Sequence, residues 1–74
     1  MKGITDRQKE VLTFISSFTE ENGFPPTVRE IGDHFGISIR AVQDHIIALQ
    51  KKGFLSQSQK RSRSMRVLSD VRNK

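Results

Sequence analysis

The sequence predicts a mainly α-helical domain closed by a small β-hairpin. Three observations lead there. Apolar residues recur at helical spacing in three stretches, each preceded by a hydroxyl residue able to cap a helix and each ending near a glycine. After Gly53 that period gives way to two short apolar runs separated by a polar, basic stretch. The chain has 74 residues and no cysteine, so a single thin core must hold by packing, without disulfides or thiolate-bound metal.

Thr5-Asp6-Arg7-Gln8 reads as a capping box, in which the Thr5 hydroxyl meets the Gln8 amide and the Gln8 side chain reaches back. Val11, Leu12, Ile15 and Phe18 follow at helical spacing with Phe14 on their flank, and Asn22-Gly23 suits a left-handed terminus. Helix 1 is therefore placed at about residues 6–21. Phe24-Pro25-Pro26 is extended, because each proline restricts the residue before it. Thr27-Val28-Arg29-Glu30 is a second capping box, followed by the stripe Val28, Ile31 and Phe35 and closed by Gly36, giving helix 2 near residues 28–35. Gly32 lies on that stripe, where the absence of a side chain lets another helix approach closely. Ser38 can cap helix 3, about residues 39–52, whose inner stripe is Val42, Ile46 and Leu49. Lys51, Lys52 and Gly53 suit its end, as cations near the negative pole of the helix dipole with glycine beyond.

Phe54-Leu55-Ser56-Gln57 and Ser64-Met65-Arg66-Val67-Leu68 can pair across Ser58-Gln59-Lys60-Arg61-Ser62-Arg63; a disordered basic tail is the rival reading. The expected domain is 1–68, with 69–74 as a frayed tail or the start of a linker. The expected core comprises Val11, Leu12, Ile15, Phe18, Ile31, Phe35, Val42, Ile46 and Leu49. No stretch is apolar enough to span a bilayer, and the charged start lacks the apolar segment of a secretory signal, so no membrane association and a cytoplasmic place are expected.

Charge is unevenly placed. The formal net charge is +5. Residues 1–36 hold four basic and six acidic side chains, whereas residues 37–74 hold nine basic and only two acidic ones. Such a basic half points to a polyanion partner, although a solubilising tail has the same composition.

Helix 2, the link Gly36-Ile37-Ser38 and helix 3 have the dimensions of a helix-turn-helix, whose second helix can lie in the DNA major groove. With Val42, Ile46 and Leu49 inward, steps of about 100° turn Arg40, Asp44, Ile47 and Lys51 outward, with Gln43 beside them. These are base-reading types: Arg for guanine, Gln for adenine, an acid for cytosine, an aliphatic group for the thymine methyl. Ile47 taken alone is an ordinary exposed apolar residue; the face taken together points to DNA. Lys60, Arg61 and Arg63 would form the tip of a wing on phosphates, supplying affinity more than sequence choice, though a solvated turn looks the same. Ser38 could also offer backbone amides to a phosphate, a role compatible with capping.

An enzyme would have to use Asp33-His34 or Asp44-His45. Neighbouring helix residues point about 100° apart, so neither pair forms a two-ligand face or an acid–base dyad, and His45 falls on the flank of the buried stripe. No phosphate loop or nucleophile elbow is present in the sequence. No catalytic residue, metal site, cofactor or small-molecule ligand is expected.

Ile4-Thr5-Asp6-Arg7-Gln8, the stripe Val11-Leu12-Phe14-Ile15, and the string from Gly23 through Pro25-Pro26-Thr27-Val28-Arg29-Glu30-Ile31-Gly32 resemble the N-terminal domain of the LexA family of bacterial SOS repressors. His45-Ile46-Ile47-Ala48-Leu49 and Lys52-Gly53-Phe54-Leu55 extend the likeness to about residue 68. The resemblance implies a winged helix-turn-helix of three helices and a two-stranded antiparallel wing. It implies repression of DNA-damage genes through palindromic operators on the bacterial nucleoid, as a homodimer on double-stranded DNA. By position it implies base contacts from Ser38, Ile39, Arg40, Gln43 and Asp44; the outward face of helix 3 adds Ile47 to the expected base contacts, and Thr27, Lys51, Lys60, Arg61 and Arg63 are the expected phosphate contacts. The segment between Gly36 and His45 is one residue shorter than in the best-known members. Full-length members also carry a Ser-Lys protease domain that cleaves an Ala-Gly bond in their own linker; this sequence contains no Ala-Gly pair. Pairing in the family comes chiefly from that second domain, and the outward residues of helices 1 and 2 are mostly charged, so a monomer is expected off DNA. The alternative is a winged-helix module for protein or RNA contact, without a base-reading face.

Overall fold

A computed structural model describes residues 3–56 and 65–68. Both capping boxes form. The Gln8 and Glu30 amides donate to Thr5 Oγ1 and Thr27 Oγ1, each at 3.1 Å, and the side chains of Gln8 and Glu30 accept from the Thr5 and Thr27 amides in return. They open α1 (Asp6–Asn22) and α2 (Val28–Phe35). Ser38 Oγ accepts from the Ala41 amide at 3.1 Å and opens α3 (Ile39–Lys51). Gly23 and Gly36 end the first two helices with φ of 80° and 68°, a left-handed conformation that glycine adopts without steric cost. The expected helix ends hold to within one residue: Asn22 still belongs to α1, and Lys52 caps α3 rather than continuing it.

The hairpin expectation is also borne out. Strands β1 (Leu55–Ser56) and β2 (Arg66–Val67) pair antiparallel, with Leu55 opposite Val67 and Ser56 opposite Arg66. The Phe54 amide donates to Leu49 O at 2.9 Å, and the Leu68 amide donates to Phe54 O at 2.8 Å, which fastens the hairpin to the end of α3. The expected turn at 58–63 and the expected tail at 69–74 lie outside the described residues.

All three helices and both strands meet over one core of Val11, Leu12, Ile15, Ile31, Val42, Ile46, Leu49, Leu55 and Met65. Two expected core residues, Phe18 and Phe35, are only half-buried. Phe35 packs against the edge of the core beside Phe14 and His34, and for Phe18 the cause is the rotation of α1. Its buried residues are Val11, Leu12, Ile15 and Ser16, a face centred away from Phe18. The hairpin supplies Leu55 and Met65 to the core and packs against α1 through β2, so α1 turns its Ser16 side inward. Phe14 and Phe18 are left on the flank, where their centroids lie 5.8 Å apart, and Phe14 meets Phe35 edge-on at 5.8 Å. Glu30 is half-buried because its side chain folds back onto its own helix cap.

Gly32 is buried where α2 meets the turn into α3. A β-carbon there would come within 2.9 Å of Ile37 O and 3.5 Å of Val42 Cγ2. The missing side chain thus sets the approach of the two helices, and the Ile37 amide donates to Gly32 O at 3.0 Å across it. Among the described residues, no helix is long and apolar enough to cross a membrane.

Candidate nucleic-acid interface

Burial of Val42, Ile46 and Leu49 at 0%, 2% and 0% exposure fixes which side of α3 faces solvent. Ser38, Ile39, Arg40, Gln43, Asp44, Ile47 and Lys51 are all exposed, so the structure brings the α3 part of the expected site together on one free surface. Two diagonal rows run along it, since residues four apart stack on a helix. Ile39, Gln43 and Ile47 make one row, and Arg40 and Asp44 make the other. Among the described residues Arg40 and Asp44 form no ion pair with each other, and both side chains are exposed.

Hydrogen bonds at both ends hold this helix. Its amino end is capped by Ser38, and its carboxyl end is tied to α1, because Lys52 Nζ donates to Gln8 Oε1 at 2.8 Å. That oxygen also accepts from the Thr5 amide, so one side chain links the start of α1 to the end of α3. Sequence reasoning assigned Lys52 only to the helix dipole; a partner 44 residues away leaves no local signal.

Thr27, expected on phosphates, is half-buried. Its hydroxyl oxygen accepts from Glu30, which leaves the hydroxyl proton as a donor. Lys60, Arg61 and Arg63 lie outside the described residues. Arg66, not assigned from sequence, is exposed on β2 between buried Met65 and half-buried Val67. The period-two alternation of the strand carried that signal, but over too few residues to be read.

The pairs weighed for catalysis do not close. Asp33 and Asp44 are exposed, while the His34 ring stacks on Phe14 at 4.2 Å and meets Phe35 edge-on at 4.7 Å. Among the described residues, no three His, Asp or Glu side chains gather as metal ligands.

Comparison with known proteins adds a family to this geometry. Residues 1–64 match the family model described as the LexA DNA binding domain. A LexA repressor of Leptospira interrogans is 47% identical over 68 residues, covering 92% of this chain and 34% of the relative. A LexA repressor of Thermotoga petrophila is 47% identical over 74 residues, covering 100% of this chain and 38% of the relative. One from Leptospira biflexa is 47% identical over 68 residues, covering 92% and 34% respectively. The chain thus spans little more than a third of the length of these curated relatives, and the matched part is the DNA-binding domain rather than a protease domain. With its three helices, two-stranded wing and exposed third helix, the chain belongs to the LexA DNA-binding domain family.

Proposed function

We propose that this chain is the sequence-specific, double-stranded DNA-binding unit of a LexA-like repressor. It places α3 in the major groove and the basic wing on phosphates. It acts on the nucleoid, in the cytoplasm, by occupying palindromic operators of DNA-damage genes and blocking their transcription. The observation that carries this reading is the exposed face of α3, where Arg40, Gln43 and Asp44 present donors and acceptors opposite a fully buried stripe. Ser38, Ile39 and Ile47 complete the base-contacting set, and Thr27, Lys51, Lys60, Arg61 and Arg63 the phosphate-contacting set. No cofactor or small-molecule ligand enters the reading. A module built for protein or RNA contact has no need of such a face.

Selection of bound duplexes from a random pool at physiological salt tests the proposal. A defined half-site is expected for the wild-type chain. Arg40→Ala should relax the preference at one position of it, at about 1–3 kcal/mol for a bidentate guanine contact. Uniform weakening across all sequences would instead place Arg40 on the backbone.

The chain alone is proposed to be monomeric and to pair only on the palindrome. The apolar stripes of α1, α2 and α3 are occupied by their own core, and Lys9, Glu10, Glu21, Arg29 and Asp33 are exposed around them, which leaves little for a permanent interface. Two protomers on one face of the duplex would centre their half-sites about 34–36 Å apart. Sedimentation at tens of micromolar should give a monomer without DNA and two protomers per palindrome. A stable dimer without DNA overturns this part of the proposal.

A further inference from the structure

Resting on the DNA-binding reading above, we infer that the row Ile39–Gln43–Ile47 reads an A·T segment of the half-site, with both isoleucines held against thymine 5-methyl groups. Ile39 and Ile47 are 49% and 48% exposed on a helix whose other apolar residues are buried or half-buried. Among the described residues the other exposed large apolar side chains are Phe24 and Leu68, and neither belongs to α3. The two isoleucines flank Gln43 at i−4 and i+4, so an amide sits between two aliphatic groups on one diagonal.

The chemistry of that order is specific. A glutamine amide matches the N6 donor and N7 acceptor of adenine, and an aliphatic side chain matches the thymine methyl. A guanine or cytosine edge offers neither isoleucine an apolar partner. Eight residues of α-helix rise about 12 Å, which is about three to four base-pair steps, so the isoleucines must address different pairs on either side of Gln43. The parallel row, Arg40 and Asp44, has the complementary pairing for guanine and cytosine. Helix α3 therefore carries an A·T edge and a G·C edge side by side. A protein-docking role for the isoleucines fits poorly, because Gln43 separates them and Arg40, Asp44 and Lys51 flank them, leaving no continuous apolar patch.

The test uses the duplex recovered from the random pool, resynthesised with deoxyuridine for thymidine at one A·T pair at a time. This exchange removes only the methyl and keeps the base pairing. Titration with the unmodified chain should show one or two positions per half-site where affinity falls about four-fold, the effect of one methyl-sized group leaving an apolar contact. Ile47→Ala should abolish the thymine–uracil difference at one position, and Ile39→Ala at another. Arg40→Ala should lower affinity while preserving both differences. Both isoleucines are exposed, and alanine is a better helix former, so neither variant endangers folding. Equal binding of every uracil duplex overturns the inference while leaving DNA binding intact, as does full discrimination retained in Ile47→Ala. Failure of the pool to yield any duplex overturns the DNA-binding reading and this inference with it.

Discussion

Replacing Ile46 with alanine is expected to destabilise the domain by about 2–4 kcal/mol, the range for cutting a buried branched side chain back to a methyl. Ile46 is 2% exposed and sits on the helix that packs against α2, α1 and β1 together. The elements around it are pinned by caps and by the Gly32 approach, so they cannot collapse far into the space left. A short chain buries a smaller fraction of its surface than a larger one, and such a loss is a large part of its stability. Urea unfolding followed by circular dichroism measures it, with an unchanged slope showing that the two states keep their compactness. A loss below about 1 kcal/mol would mean that α3 presents a different face to the core. The folded, DNA-bound population should recover at saturating DNA, because ligand binding to the folded form offsets the deficit by mass action.

The same residue connects stability to recognition. Ile46 inward is what turns Arg40, Asp44 and Ile47 outward, as all four sit on one rigid cylinder. Gln8 and Lys52 hold the far end of that cylinder to α1, so the row proposed to read bases is positioned by contacts outside it.

The helices could be read from sequence because their signals are local. Thr5 with Gln8, Thr27 with Glu30, and Ser38 each specify a start through hydrogen bonds spanning three residues, and Gly23 and Gly36 specify ends through φ alone. The rotation of α1 could not be read. It depends on Leu55 in β1 and on Met65 just before β2, strands of two residues each that are too short to show a period, and it moves Phe18 out of the core in favour of Ser16. Gly32 lay between these cases. Its presence on an apolar stripe signalled a close approach, but only the fold identifies the Ile37 carbonyl and Val42 as the groups that approach. For the site, the exposed face of α3 followed from its buried one by helical geometry. The pairing of individual side chains with bases depends on the angle at which a groove receives the helix, and no local pattern encodes that.

The wing should separate affinity from preference. Changing Lys60, Arg61 and Arg63 together to glutamine is expected to lower affinity for every duplex by about a hundred-fold at physiological salt, and to flatten the slope of log K against log salt by nearly three units. Each lost phosphate contact removes about 0.9 of a released counterion, and three such contacts give both figures. The three residues lie outside the described region, and their proposed role rests on charge and on chain position between β1 and β2. The antiparallel register pairs Ser56 with Arg66, which is exposed, so the described residues on either side of that stretch lie side by side. Phosphate contacts carry no direct sequence information, so the ranking of duplexes should survive the triple change. Salt titrations of a selected duplex and a scrambled one measure both effects at once. If the wing variant reorders the duplexes while Arg40→Ala weakens all of them equally, the wing reads the bases and α3 holds the backbone, the reverse of the roles proposed here.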